Sequence, residues 1–156
     1  MSDRYEEIIS GERLIRAAPG QRHEAICQRL HQHLTLGLQN STHARLLSPR
    51  SIVKVSAGSF FRPDLALVTT TRQLWLAVEI IDTGDHHTDT VTKKLIYEEV
   101  NVPRLWMIDP RYDNVEVYHS GDYGLALKEI LAGQDILGDA LLPELHLTVA
   151  ELFRDE

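Results

Sequence analysis

The chain has 156 residues, 43% apolar and 25% charged, enough to bury a sizeable core, and reads as one domain over 1–156. Sixteen Lys and Arg against 23 Asp and Glu give a formal net charge of −7, which excludes a globally basic nucleic-acid binder and leaves only a local basic groove or a bound cation to bring DNA in. Cys27 is the sole cysteine, which excludes an internal disulfide and a cysteine-based zinc site. No apolar run reaches the roughly 20 residues of a membrane span and MSDRYEEIIS lacks the regions of a signal peptide, so no membrane association and a cytoplasmic location are expected.

In chain order, Glu6 to Leu14 reads as a hairpin turning at Ser10-Gly11, and Ala17 to Gly20 as a second turn. Arg22 to about Leu38 is helical, with Ile26, Leu30 and Leu34 at four-residue spacing and Cys27 beside them. Ala44 to Val55 is a strand, or a strand pair broken at Ser48-Pro49, and Ser56 to Arg62 is a loop. Pro63 opens a strand from Asp64 to Val68. Leu74 to Ile81 is a strand buried on both faces, its apolar run interrupted only by Glu79. A polar loop, Asp82 to His87, leads to a helix from about Thr88 to Val100. Arg104 to Asp109 is a further strand ended by Pro110, and Asn114 to His119 alternates as an outer strand. Short strands follow at Leu125 to Leu131 and after Gln134, then a helical turn at Val149 to Phe153. The order predicts an α/β or α+β fold: a mixed central β-sheet with helices packed on it.

The chemistry gathers between Asp64 and Tyr97. A carboxylate in a buried strand is costly unless something compensates it, which marks Glu79. Asp64 lies fifteen residues upstream; if the two strands pair antiparallel, the start of one meets the end of the other and the acids can share a cation. Oxygen donors of this kind suit Mg²⁺ or Mn²⁺. The other reading is that Asp64 caps a turn and Glu79 meets an arginine. On the following helix Asp89, Lys93 and Tyr97 stand at four-residue steps along one stripe. The helical wheel puts Lys93 at the edge of the buried face, able to hold a phosphate or a water, and Lys94 in solvent; the plainer alternative is a surface pair of Asp89 with Lys93. His86 and His87 read as solvent-facing, His31 and His33 as helix-surface residues, and Trp75 and Trp106 as core. There is no H-E-x-x-H, P-loop, G-x-G-x-x-G or G-x-S-x-G.

The segments YEEIISGERL, PGQRHEAI, RPDLALV, VEII, DTVTKKLIYEEVNVPRLWMIDPRYDNVEVY and LLPELHLTVAELF together resemble the Uma-type restriction endonucleases of the PD-(D/E)xK nuclease superfamily. The resemblance spans nearly the whole chain. It implies a restriction-endonuclease-like core and a Mg²⁺-dependent (or Mn²⁺-dependent) endonuclease acting on DNA phosphodiester bonds. By its pattern Asp64 and Glu79 hold the metal with the backbone carbonyl of Ile80, Lys93 is the active-site lysine moved from strand to helix, and Asp89 and Tyr97 hold Lys93 in place. Glu7, in the hairpin, and Glu24, on the first helix, are further candidates. Asp82 stands in the Asp82-Thr83-Gly84 stretch where the family carries serine-proline-serine, and would add a ligand or disturb the phosphate site. Arg62, bordering the Asp64 strand, is expected to touch nucleic acid, with Arg50 and Lys54 nearby, and a homodimer would supply the two sites that a double-strand cut needs. Two alternatives stay open: a non-catalytic interaction protein on a nuclease fold, and a metal-dependent phosphodiesterase acting on RNA or a small substrate.

Overall fold

The branched, apolar segments that read as buried strands form the middle of a six-stranded mixed sheet. The computed structural model describes residues 4–81 and 87–155. A hairpin, β1 (Tyr5–Ile9) and β2 (Glu12–Arg16), precedes helix α1 (Gln21–Gly37). Then come β3 (Ala44–Leu46), β4 (Val53–Ser56), β5 (Ser59–Phe61), β6 (Leu65–Thr69) and β7 (Leu74–Ile80). A π-helical segment (Thr88–Lys93) runs into α2 (Lys94–Glu99), followed by β8 (Arg104–Asp109), β9 (Asn114–Gly121), β10 (Gly124–Ala132), β11 (Ile136–Leu137), β12 (Leu147–Thr148) and α3 (Val149–Leu152). The large sheet has the order β10-β9-β8-β7-β6-β3, and β2-β1-β5-β4 form a four-stranded sheet. Among the described residues only β7 and β8 pair in parallel, joined by the crossover that carries α2. Among the described residues no helix is long and apolar enough to cross a membrane.

Strand alternation sorts the side chains of β7 and β8 between two cores. Val78, Ile80, Trp106 and Ile108 pack with Ile26, Leu30 and Leu34 of α1. Ala77, Ile81, Leu105 and Met107 pack on the other face with Phe61, Ile96 and Tyr97. Glu79 shares the parity of Ala77, so its carboxylate enters the layer where α2 lies. The β1–β2 turn has positive φ at Ser10 (50°) and Gly11 (83°), the conformation that suits two-residue hairpins.

Three expectations are corrected. The segment Ser56 to Arg62 is not simply a loop: Ser59–Phe61 is a strand, which pairs with β4 and also with β1 at Ile8↔Phe60. A three-residue strand is too short to show a period, and its pairing with β1 spans half a hundred residues. Second, β9 is not the outer strand, because β10 covers it, with a register irregularity at Leu127/Glu129 that blurs the alternation of β10. Third, the helix after the 82–86 segment starts as a π-helical segment rather than an α-helix. Asp89, Lys93 and Tyr97 nonetheless all face inward, at 2%, 0% and 0% exposure.

Cys27 sits against α1's core face at 1% exposure, and burial pushes its thiol up to about 12. A thiol held protonated and covered is a poor nucleophile. The native protein is expected to leave a colorimetric disulfide reagent unreacted at pH 8, and to release one thiol per chain once unfolded in denaturant.

Candidate active site

The antiparallel register of β6 and β7 pairs Leu65 with Val78, so one step further Asp64 lies opposite Glu79 at the end of the sheet. Both are buried, at 3% exposure. One Asp64 oxygen accepts the Ile80 amide at 2.8 Å, closing the ladder where β6 begins. The other faces Arg50 Nη1 at 3.1 Å and His23 Nε2 at 3.4 Å. His23 Nε2 is also 3.1 Å from the Ile80 carbonyl. Its Nδ1 is buried without a hydrogen-bond partner, which places the proton of the neutral ring on Nε2. Asp64 Oδ1 and the Ile80 carbonyl therefore converge on one point, held by a single N–H. Burial raises the Asp64 carboxyl, but the His23 hydrogen bond and charge and the Ile80 amide hold it below the ordinary carboxylate value.

Glu79 belongs to a second, tighter knot. Lys93 Nζ lies 2.6 Å from Glu79 Oε2 and 2.7 Å from Glu7 Oε2, and the Tyr97 hydroxyl donates to Glu79 Oε2 at 2.6 Å. Arg16 grips Glu7 Oε1 at 2.5 Å and both oxygens of Asp89 at 3.0 and 3.1 Å. The backbone amide of Arg62 adds a bond to Glu7 at 2.6 Å. Lys93 is wholly buried, deeper than the edge position the helical wheel gives it, with its Nζ 5.0 Å from the Phe61 ring centroid. Lys94 instead lies over the Tyr118 ring at 4.5 Å. Burial pushes the Glu79 carboxyl up to about 8 against the pull of Lys93, with Asp89, Glu7 and Asp64 adding repulsion.

The structure thus brings together Asp64, Glu79, Lys93, Tyr97, Asp89 and Glu7, with Glu24 at the rim bound to Arg50 at 2.7 Å. Two details differ from expectation. Tyr97 bonds Glu79 rather than Lys93, and Asp89 is paired with Arg16. Arg62 holds the carbonyls of Glu6 and Arg50 at 3.2 and 3.1 Å, which makes it a brace between hairpin and sheet. Asp82 and His86 lie outside the described residues, and His87 is exposed. Sequence reasoning misses Arg16 and His23. Arg16 is a charged residue at an inward position of a hairpin strand, and His23 extends the Ile26–Leu30–Leu34 stripe by one turn; both signals are present in the pattern.

The family model of Uma2, described as "Putative restriction endonuclease", matches residues 1–150. The chain belongs to the Uma2 family. A solved structure of similar fold is a "putative nuclease belonging to DUF820" from Anabaena variabilis ATCC 29413, with a TM-score of 0.79 at 18% identity, covering 95% of this chain and 89% of that one. No curated protein matches. This Uma2 chain thus carries its buried charges in a fold also found in that nuclease-described protein.

Removing Arg16 takes the paired guanidinium from Asp89 and from one oxygen of Glu7 in the interior, the situation that costs about 3–5 kcal/mol for a broken buried pair. Arg16→Ala should lower the unfolding free energy by that order in a urea titration. Lys94→Ala, which removes one partly exposed cation–π contact, should cost about 1 kcal/mol or less.

Proposed function

We propose that this Uma2 protein hydrolyses DNA phosphodiester bonds with a divalent cation, Mg²⁺ or Mn²⁺, at the β6–β7 end of the sheet. One observation carries the reading. Five carboxylates (Glu7, Glu24, Asp64, Glu79 and Asp89) share the ion-paired cluster with three fixed cations (Arg16, Arg50 and Lys93), so that with His23 neutral and every carboxylate ionised, a state a bound cation would favour for Glu79, the cluster carries a surplus of two negative charges. That is the charge of one divalent ion, and the donors are hard oxygens. Asp64, Glu79 and the Ile80 carbonyl would hold it. When bound, such an ion polarises a phosphate and lowers the pKa of a water.

The protein's own groups do the rest. Tyr97 fixes one oxygen of Glu79 by its hydrogen bond. Lys93 keeps its proton, since its two carboxylate neighbours raise its pKa despite burial, and its ammonium would orient the attacking water or stabilise charge developing on the phosphate. Arg16 positions Glu7 and Asp89, and through Glu7 sets where Lys93 can stand. A second reading, a binding protein without catalysis, draws on the net charge of −7, which opposes a polyanionic substrate.

Two measurements separate these. Cleavage of mixed single- and double-stranded DNA should require Mg²⁺ or Mn²⁺, and Asp64→Asn and Lys93→Ala should each lower it about 100-fold or more. Saturating cation should raise the melting temperature of wild type, and Asp64→Asn should remove most of the gain. Absence of cleavage together with an unmoved melting temperature leaves the binding-protein reading standing.

A further inference from the structure

The chain is acidic overall, yet one strip of its surface is cationic and uncompensated. A cavity of about 420 Å³ is lined by Lys54, Arg72 and Asn101 among others, and a second of about 320 Å³ by Arg72, Arg45, Thr42 and Thr70 among others. Arg72 lines both, so the two are neighbours. Neither has an acidic residue in its wall. Lys54, Arg72 and Arg45 are exposed, and their side chains make no ion pair or hydrogen bond among the described residues. Other cations, Arg13, Arg22, Arg104 and Arg111, each hold an acid. Three unneutralised cations with hydroxyl and amide groups between them match the charge and hydrogen-bonding of successive phosphates.

Its position relates the strip to the buried site. Val55, Leu74 and Val100, which line the first cavity, pack on the same core cluster as Ile81 and Tyr97, so that cavity opens on the layer carrying Glu79 and Lys93. It lies at the Leu74 end of β7, five residues from Glu79, about 17 Å at strand rise. On one strand of a duplex, phosphates are about 3.4 Å apart along the axis, so the same span covers about five base pairs.

We propose that Lys54, Arg72 and Arg45 form a track for the phosphate backbone of duplex DNA. The choice of DNA rests on the nuclease reading above. The track supplies the basic surface that the net charge denies to the molecule as a whole, and it holds the duplex by backbone alone, without reading bases.

The test is fluorescence anisotropy with a labelled 20-base-pair duplex in chelator and low salt, where hydrolysis cannot contribute. The variant combines Arg45→Gln, Lys54→Gln and Arg72→Asn, the asparagine chosen because Arg72 has a φ of 66°. Affinity should fall at least tenfold, and the log–log salt slope should become shallower by about 0.9 for each phosphate the variant no longer neutralises. If the triple variant melts early, Lys54→Gln and Arg45→Gln alone should each give part of the loss. A wild type that binds no duplex, or folded variants that bind as tightly as wild type, overturns the track. Hydrolysis of bis(p-nitrophenyl) phosphate by wild type with Mn²⁺ is read separately. Strip-dependent binding without hydrolysis of this ester or of DNA would sink the nuclease reading and leave the track.

Discussion

The Lys93 ammonium is the point on which three parts of the fold depend. It bridges Glu7 from the hairpin and Glu79 from the central sheet, while its own backbone ends the π-helical segment before α2. These partners come from separate layers, so the bridge fixes their separation as well as their charge. A lysine at 0% exposure pays heavily for desolvation unless its partners are in place. Neither carboxylate tolerates burial alone either. The three groups are stable together and costly singly, which makes the hairpin part of the site rather than an appendage to it. Arg16 extends the same logic outward by pairing with both Glu7 and Asp89, which stand on β1 and the π-helical segment.

What the sequence discloses follows from the range of each interaction. Glu79 is visible because a charge breaks an otherwise apolar strand, and Asp64 because a proline sets its entry and its strand partner follows closely. Lys93 is separable from Lys94 by helical phase. These are local signals, and the antiparallel pairing of β6 with β7 is the one strand neighbourhood they suggest. Arg16 and Glu7 gain meaning only through partners 73 and 86 residues away, Asp89 and Lys93. No period encodes such a pairing. His23 is hidden for another reason: as a polar residue it breaks the apolar count, although its position continues the buried stripe of α1. Arg62, expected to touch nucleic acid, lies beside the site by its adjacency in sequence to Asp64, and its guanidinium turns to the carbonyls of Glu6 and Arg50. The β5 strand is hidden because its pairing to β1 is long-range and its own run is three residues.

The distribution of charge has two levels. Inside, acids outnumber fixed cations by two around the β6–β7 end. Outside, exposed cations gather at the opposite end of β7 in walls that contain no acid. A polyanion approaching a chain of net charge −7 meets net repulsion, which the unpaired cations of that strip offset locally. On the proposals above, one molecule would offer a cation-seeking interior and an anion-seeking exterior without the two cancelling, because the apolar core around Ala77 and Tyr97 lies between them.

A buried ionic knot is also a poor way to hold a fold together. Replacing paired buried charges by apolar groups of similar volume is often neutral or stabilising, since the ions never fully recover their lost hydration. Glu7, Glu79, Asp89, Arg16 and Lys93 occupy volume that leucine and methionine would fill at lower cost, in a layer already lined by Phe61, Ile96 and Met107. Packing alone therefore gives no reason for five ionisable side chains there. The Glu79 carboxyl makes the tension concrete, because burial drives it towards neutrality while a lysine and a tyrosine hold it. A site that needs a concentrated negative charge ready for a cation, with a lysine and two supporting hydrogen-bond donors already aimed, has such a reason. The stability given up in the interior is the physical argument for placing the chemistry at this end of the sheet.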